Sequence, residues 1–260
     1  IVGMTADLGK YTDLHIFKEA FPDRFFQTYI AEQQMVISLT NTGYVKRLPV
    51  DSYRQQHRGG VGVTGMNLKE GDYIEHLHIC STHDYLLFFT NRGRVFQLPA
   101  YEIPQGSRTA KGQALVNFLQ LAPNEKVSSA MTVSELADAK FLVMVTKNGV
   151  IKKTELSEFK EVRRSGLIAI KIRPEDNLEW VKPSGGNDDI ILVTAQGQSI
   201  RFSEKDVRAM GRSAAGVTGM RLKGKDAIVG IGVASVGAFA LNEWQEAEKV
   251  GARTEAVLRS

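Results

Sequence analysis

From Met35 onward apolar and polar positions alternate with a period of two. Val36, Ser38 and Thr40 fall on one side, and Ile37, Leu39 and Asn41 on the other, the spacing of a β-strand. Leu86-Leu87-Phe88-Phe89 and Ile190-Ile191-Leu192-Val193 are near-continuous apolar runs, as expected of strands covered on both faces. Each such strand leads into a turn pair, Thr42-Gly43, Arg92-Gly93, Asn148-Gly149 or Gln196-Gly197. Glycine there supplies the positive φ that a tight hairpin demands. A second strand follows each turn, and a third is predicted over 73–79, 127–133, 178–181 and 227–233.

These pieces form one unit written four times. The strings VISLTNTGYVKRLP, LLFFTNRGRVFQLP, LVMVTKNGVIKKTE and IILVTAQGQSIRFS correspond position by position. The turn glycines Gly43, Gly93, Gly149 and Gly197 are separated by 50, 56 and 48 residues. A second glycine follows 19 residues later at Gly62, Gly112 and Gly216, and 17 later at Gly166. An arginine precedes each: Arg58, Arg108, Arg164 and Arg212. Val63-Thr64-Gly65-Met66 recurs as Val217-Thr218-Gly219-Met220. Units of this length, with three or four strands each, predict an all-β, propeller-like fold of about four blades. The blades are placed at 35–83, 84–138, 139–186 and 187–234, joined by links at 132–138 and 183–188, and their stacking buries a shared core.

The flanks differ. In 1–34, Leu14, Ile16, Phe17 and Ala20 have roughly helical spacing before Pro22. In 235–260, Leu241, Trp244, Ala247 and Val250 predict an amphipathic helix with Asn242 as its N-cap. Short helical segments are thus expected on either side of the blades.

The apolar share is 43%, enough for a sizeable core, and the charged share of 24% is ordinary for a soluble protein. No apolar run approaches membrane-spanning length, and the single cysteine, Cys80, excludes an internal disulfide and suits a reducing compartment. The expectation is a cytoplasmic protein with no membrane partner. The net charge of +4 is unevenly placed, since 35–234 holds 27 Lys and Arg against 20 Asp and Glu. That excess on the repeats is the footprint of a polyanionic partner. Cations follow each hairpin glycine, at Lys46, Arg47, Arg94, Lys152, Lys153 and Arg201. With Arg58, Arg108, Arg164 and Arg212 they are expected to form a curved belt that neutralises phosphates along bent duplex DNA without reading bases. Arg54, Arg92, Lys111, Arg163 and Arg221 join the set as neighbouring basic positions.

Other chemistry is sparse. His76, His78 and Cys80 alternate along one strand with His83 beyond, and imidazole and thiolate are zinc ligands. The preferred reading is an ordinary strand with histidines on its outer face, without a metal. No nucleophile triad, P-loop or paired-carboxylate motif emerges, so no catalytic residue and no cofactor are predicted.

Residues 35–234 resemble the C-terminal domain of the DNA gyrase A protein. The matching strings are CSTHDYLLFFTNRGRVFQLPAYEIP (80–104), SRTAKGQALVNFL (107–119) and GQSIRFSEKDVRAMGRSAAGVTGM (197–220). The resemblance implies a β-pinwheel and a non-catalytic, DNA-wrapping role within a type II topoisomerase. Double-stranded DNA, the remainder of the gyrase A protein and the gyrase B protein are the implied partners. The loop 56–62 resembles the family's Q-R-R-G-G-K-G box, keeping Gln56, Arg58, Gly59, Gly60 and Gly62, with His57 and Val61 in place of two cations. That family usually has six blades, against four in these repeats. Topoisomerase IV's corresponding domain is the nearest alternative, and a protein-binding propeller another. Separately, 1–34 resembles a fragment of the transketolase family, in ADLGKYTDL, FPDRFFQ and IAEQ. That resemblance implies a thiamine-diphosphate role for Glu32, but Tyr29 stands where the family has glycine, and a borrowed segment is the expectation.

Overall fold

The computed structural model describes residues 3–5, 25–27, 30–53 and 55–235. The predicted helices at 13–20 and near 242–250 lie outside the described residues, as does Arg54. Two short parallel strands, β1 (Gly3–Thr5) and β2 (Phe25–Gln27), pair with each other. The repeats follow as antiparallel sheets, confirming the all-β reading.

The first blade holds β3 (Gln34–Thr40), β4 (Tyr44–Pro49) and β5 (Ile74–Ser81). The second holds β6 (Tyr85–Thr90) and β7 (Arg94–Pro99), then a two-residue strand β8 (Gln113–Ala114), and then β9 (Val127–Thr132). The third runs β10 (Phe141–Thr146), β11 (Val150–Glu155), β12 (Leu167–Ile168) and β13 (Leu178–Ser184). The fourth runs β14 (Asp188–Thr194), β15 (Ser199–Ser203), β16 (Val217–Thr218) and β17 (Ile228–Ser235). Pro183 belongs to β13, so the third link is shorter than its proline and serine had implied.

The two-residue strands do not pair within their own blades. β8 pairs with β4, β12 with β7, and β16 with β11. Among the described residues the second, third and fourth units therefore each lend a two-residue strand to the outer edge of the preceding one. The glycine before each lent strand is what permits the approach. A Cβ built at Gly112 would lie 2.4 Å from the Val45 carbonyl oxygen, and one at Gly216 2.6 Å from that of Ile151. Both glycines also have positive φ, +84° and +81°, so a side chain is opposed on two counts.

Four threonines set the hairpins. Thr40, Thr90, Thr146 and Thr194 are buried, and each hydroxyl oxygen accepts from the backbone N–H four residues on, at 3.1–3.2 Å. Each threonine also marks a register shift against the inner strand, which bends the blade at its turn.

The core lies between blades. Ile37, Leu39, Leu86, Phe88 and Phe96 join the first blade to the second, Leu87, Phe89, Leu142 and Met144 the second to the third, and Val143, Val145, Ile190 and Leu192 the third to the fourth. Alternate residues of one strand thus enter different interfaces, which explains the continuous apolar runs.

Candidate nucleic-acid interface

The segment before each lent strand forms an arch over the preceding blade. Over the first blade it begins with Gln105 bridged in parallel to Arg47, where the Arg47 N–H donates to the Pro104 carbonyl (3.1 Å) and the Gly106 N–H to that of Arg47 (3.3 Å). It returns antiparallel as β8. Over the third blade Ala209 bridges Lys153, and the chain returns as β16. Each arch therefore stands on an outer strand at two footings, with its crown raised between them.

A lysine sits under the crown. Lys46 is 0% exposed, and its Nζ donates to the carbonyl oxygens of Gly65 (2.7 Å), Ser107 (3.3 Å), Arg108 (2.5 Å) and Ala110 (2.9 Å). Lys152, also 0% exposed, donates to the carbonyls of Ala169 (2.7 Å) and Arg212 (2.5 Å). Lys153, 6% exposed, donates to the Glu204 carbonyl at 2.7 Å and lies 4.9 Å from the centre of the Phe141 ring. Placing these three on the surface belt is therefore corrected. Their charge is turned inward, because the arch covers a strand face that would otherwise be open. In the second blade Phe96 takes the lysine's place, and Arg94 reaches across to the Ser165 carbonyl (2.6 Å) while pairing with Glu125 (2.9 Å). Arg94 and Arg47, whose Nε donates to the Ile103 carbonyl at 2.6 Å, are half-buried braces of the same kind.

Burial, with Arg108 adding repulsion, lowers the Lys46 ammonium below the ordinary lysine value. Lys152 is lowered to about 8, chiefly by burial, with Glu158 opposing and Arg212 assisting. Between about pH 8 and the ordinary value of roughly 10.4, the unfolded chain binds the proton that the folded chain has released. Stability owed to Lys152 should therefore rise with pH across that window. Urea midpoints of the wild type and of Lys152→Met, compared over that range, should diverge upward for the wild type. A constant difference would contradict the assignment.

The crowns carry the outward cations. Arg58, Arg163 and Arg164 are exposed, and Arg108 and Arg212 half-buried. Arg164 pairs with Glu102 (2.7 Å) and Arg212 with Glu158 (3.3 Å), while Arg108 Nη1 donates to the Thr64 carbonyl. Such exposed pairs are weak, roughly 0–1 kcal/mol, and a phosphate can replace the carboxylate. Lys111 lies against the Tyr44 ring, 3.6 Å from its centre, and 4.0 Å from Asp72. In the first loop the Gln56 carboxamide oxygen accepts from the Gly62 N–H (3.0 Å), and the Gly60 N–H donates to the His57 carbonyl (3.0 Å). Gln56, His57, Gly59, Gly60 and Gly62 are all exposed there. Lys160 and Arg208, exposed in the arch segments, were missed by sequence reasoning. Their signal was position, between the outer strand and the second glycine of the unit.

The remaining predicted cations lie elsewhere. Arg92, at a hairpin tip, donates to the Pro123 carbonyl (2.7 Å). Arg201, on β15, pairs with Asp189 of β14, and Arg221 is exposed beyond β16.

His78 Nδ1 lies 2.9 Å from Glu135, and its ring stacks on His76. Cys80 belongs to the first core cluster. Among the described residues no group of three or more His, Cys, Asp or Glu is placed to hold a metal ion. Glu32 is exposed and accepts from the Ser81 hydroxyl.

An array of lent strands and arginine-bearing arches defines a class, and similarity to known proteins agrees with it. The chain belongs to the family described as DNA gyrase C-terminal domain, beta-propeller, whose model matches 34–81, 84–134, 140–184 and 188–235. It is 50% identical over 190 residues to the DNA gyrase A protein of Clostridium acetobutylicum, covering 73% of this chain and 23% of that protein. It is 45% identical over 206 residues to the gyrase A protein of Mycolicibacterium smegmatis, covering 78% and 24%. The chain thus spans about a quarter of the relatives it matches. A solved C-terminal domain of DNA topoisomerase IV has a TM-score of 0.68 at 31% identity, covering 79% of this chain and 62% of that one. A solved DNA gyrase A C-terminal domain has 0.59 at 30%, covering 76% and 64%. Among the described residues no helix is long and apolar enough to cross a membrane.

Proposed function

We propose that the repeats are a non-catalytic module that binds duplex DNA along the arches and bends it, serving a type II topoisomerase of the gyrase kind. The observation that carries this is the division of cations into two layers. Buried Lys46 and Lys152 hold the arches from beneath, and arginines on the crowns face outward. A row of exposed and half-buried guanidiniums on the arches matches phosphates by charge while presenting nothing shaped to read base edges. Bending a 20–30 bp segment costs about 1–6 kcal/mol, which several phosphate contacts offset. The module would work with the remainder of a gyrase A protein and with a gyrase B protein, in the cytoplasm, presenting bent DNA to the strand-passing machinery.

A titration of fluorescent duplexes of unrelated sequence at increasing salt tests this reading. Affinity should fall steeply and alike for all sequences, with a log–log slope near 0.9 per phosphate contacted. Strong preference for one sequence, or indifference to salt, would contradict it. A topoisomerase IV role is the second reading, favoured by the fold match to that domain and by His57 and Val61 in the box.

A further inference from the structure

Each crown is a tight turn. The N–H of Gly60 donates to the His57 carbonyl (3.0 Å), that of Ala110 to Ser107 (3.1 Å), that of Gly166 to Arg163 (2.8 Å) and that of Ala214 to Gly211 (3.1 Å), the closing bond of a four-residue β-turn. An arginine holds the second position of all four turns: Arg58, Arg108, Arg164 and Arg212. The third position is Gly59 in the first turn and an exposed hydroxyl residue in the others, Thr109, Ser165 and Ser213.

What lies beneath them separates these turns. Over the first and third blades the carbonyl between the arginine and the hydroxyl residue is drawn inward. That of Arg108 accepts from Lys46 Nζ and that of Arg212 from Lys152 Nζ, both at 2.5 Å, and both lysines are buried. A trans peptide is planar, with its N–H opposite its carbonyl. Fixing the Arg108 carbonyl toward the core therefore aims the Thr109 N–H outward, and the Arg212 carbonyl does the same for the Ser213 N–H. Lys46 also draws in the Ser107 and Ala110 carbonyls, which aims the Arg108 and Lys111 N–H groups the same way. Among the described residues the N–H and the hydroxyl of Thr109 and of Ser213 have no hydrogen-bond partner. Over the second blade the turn is held differently. Phe96 stands where the lysine would be, and Arg94 donates instead to the carbonyl of Ser165 itself (2.6 Å), so no bond from below aims the Ser165 N–H.

We propose that the turns at Arg108-Thr109 and Arg212-Ser213 are phosphate-binding sites in which one residue gives a backbone N–H and a hydroxyl to a phosphate oxygen, with Lys46 and Lys152 as the positioning residues that aim the N–H. The use of these sites on the DNA backbone rests on the reading of the arches given above. A phosphate oxygen accepts from amide, hydroxyl and guanidinium alike, and outward N–H groups in a turn favour an anion. The buried ammonium thus acts twice: it holds the arch to its blade, and by taking the carbonyl ends of the turn's peptides it leaves their N–H ends for the ligand. Contact of this kind adds affinity and fixes where each phosphate sits, without adding charge.

Duplex titrations over a range of salt test it, with the wild type, the double variant Thr109→Val/Ser213→Ala, and Ser165→Ala. All three side chains are exposed, and urea midpoints confirm that the variants fold. The double variant should bind about 25-fold more weakly, roughly fivefold for each ordinary hydrogen bond lost. Its log–log salt slope should be that of the wild type, because no charge has been removed. Ser165→Ala should bind within about twofold of the wild type, although its hydroxyl is just as exposed and also follows an arginine. A second arm needs neither variant nor DNA: amide spectra of the wild type titrated with inorganic phosphate. The Thr109 and Ser213 N–H signals should move downfield and that of Ser165 should stay in place. A double variant of wild-type affinity, an equal loss per hydroxyl in Ser165→Ala, a slope that falls with the affinity, or phosphate shifts no larger at Thr109 and Ser213 than at Ser165 would overturn the proposal. A wild type that binds no duplex while those two amides still respond to phosphate would overturn the DNA reading and uphold the two sites.

Discussion

Replacing Lys46 by methionine should lower the folding free energy by about 2–4 kcal/mol, because buried carbonyls that lose their donor cost roughly 1–3 kcal/mol each. The Nζ of Lys46 draws together carbonyls from two arches, Gly65 in one and Ser107, Arg108 and Ala110 in the next. Methionine fills a similar volume but donates nothing. Part of the loss is recovered because a desolvated ammonium is removed, which is why the expected cost is less than the sum over the acceptors. Lys46→Arg should not rescue it, since a planar guanidinium cannot turn its donors toward carbonyls converging on one point. Urea unfolding followed by circular dichroism measures this. An unchanged midpoint, with DNA affinity alone reduced, would return Lys46 to the surface belt and contradict its role as an arch brace.

The second large effect concerns the crowns. Changing Arg58, Arg163, Arg164 and Arg208 together to glutamine should leave the midpoint nearly unchanged, since all are exposed and their surface pairs are weak. The salt dependence of duplex binding should fall by about 3–4 in log–log slope, at roughly 0.9 for each phosphate no longer neutralised. Arg92→Gln serves as the comparison. Its guanidinium is engaged by the Pro123 carbonyl at a hairpin tip, away from the arches, and the slope should change by less than the share of a single phosphate. Equal effects per residue at both places would mean that charge alone matters, wherever it sits.

The repeats, their hairpins and the all-β class were legible in the sequence because they rest on local signals: a period of two, a turn glycine, a fixed interval to a second glycine. The threonine three residues before each turn glycine was equally legible, at Thr40, Thr90, Thr146 and Thr194, and its hydroxyl bond explains it. Two-residue strands such as Gln113–Ala114 were not, since periodicity needs more residues than that. The fate of the lysines was hidden for a related reason. In β4 the alternation places Lys46 on the face opposite Val45, which for an uncovered outer strand means solvent. Gln105 to Ala114 then comes from the next blade, some sixty residues later, and covers that face. Whether a cation on an outer strand meets water or carbonyls depends on this non-local return, which no window of sequence contains. The position of the arch arginines was legible because the glycine interval locates them whatever the arch covers.

The path of the DNA around the blades can be measured directly. Relaxed plasmid, mixed with increasing amounts of the protein, closed by ligase, stripped of protein and resolved on a gel, reports whether the duplex was bent around them. The prediction is a topoisomer distribution whose mean linking number shifts in proportion to bound protein, and which the quadruple arginine variant leaves in place. An unshifted distribution at protein levels that saturate the plasmid would contradict it.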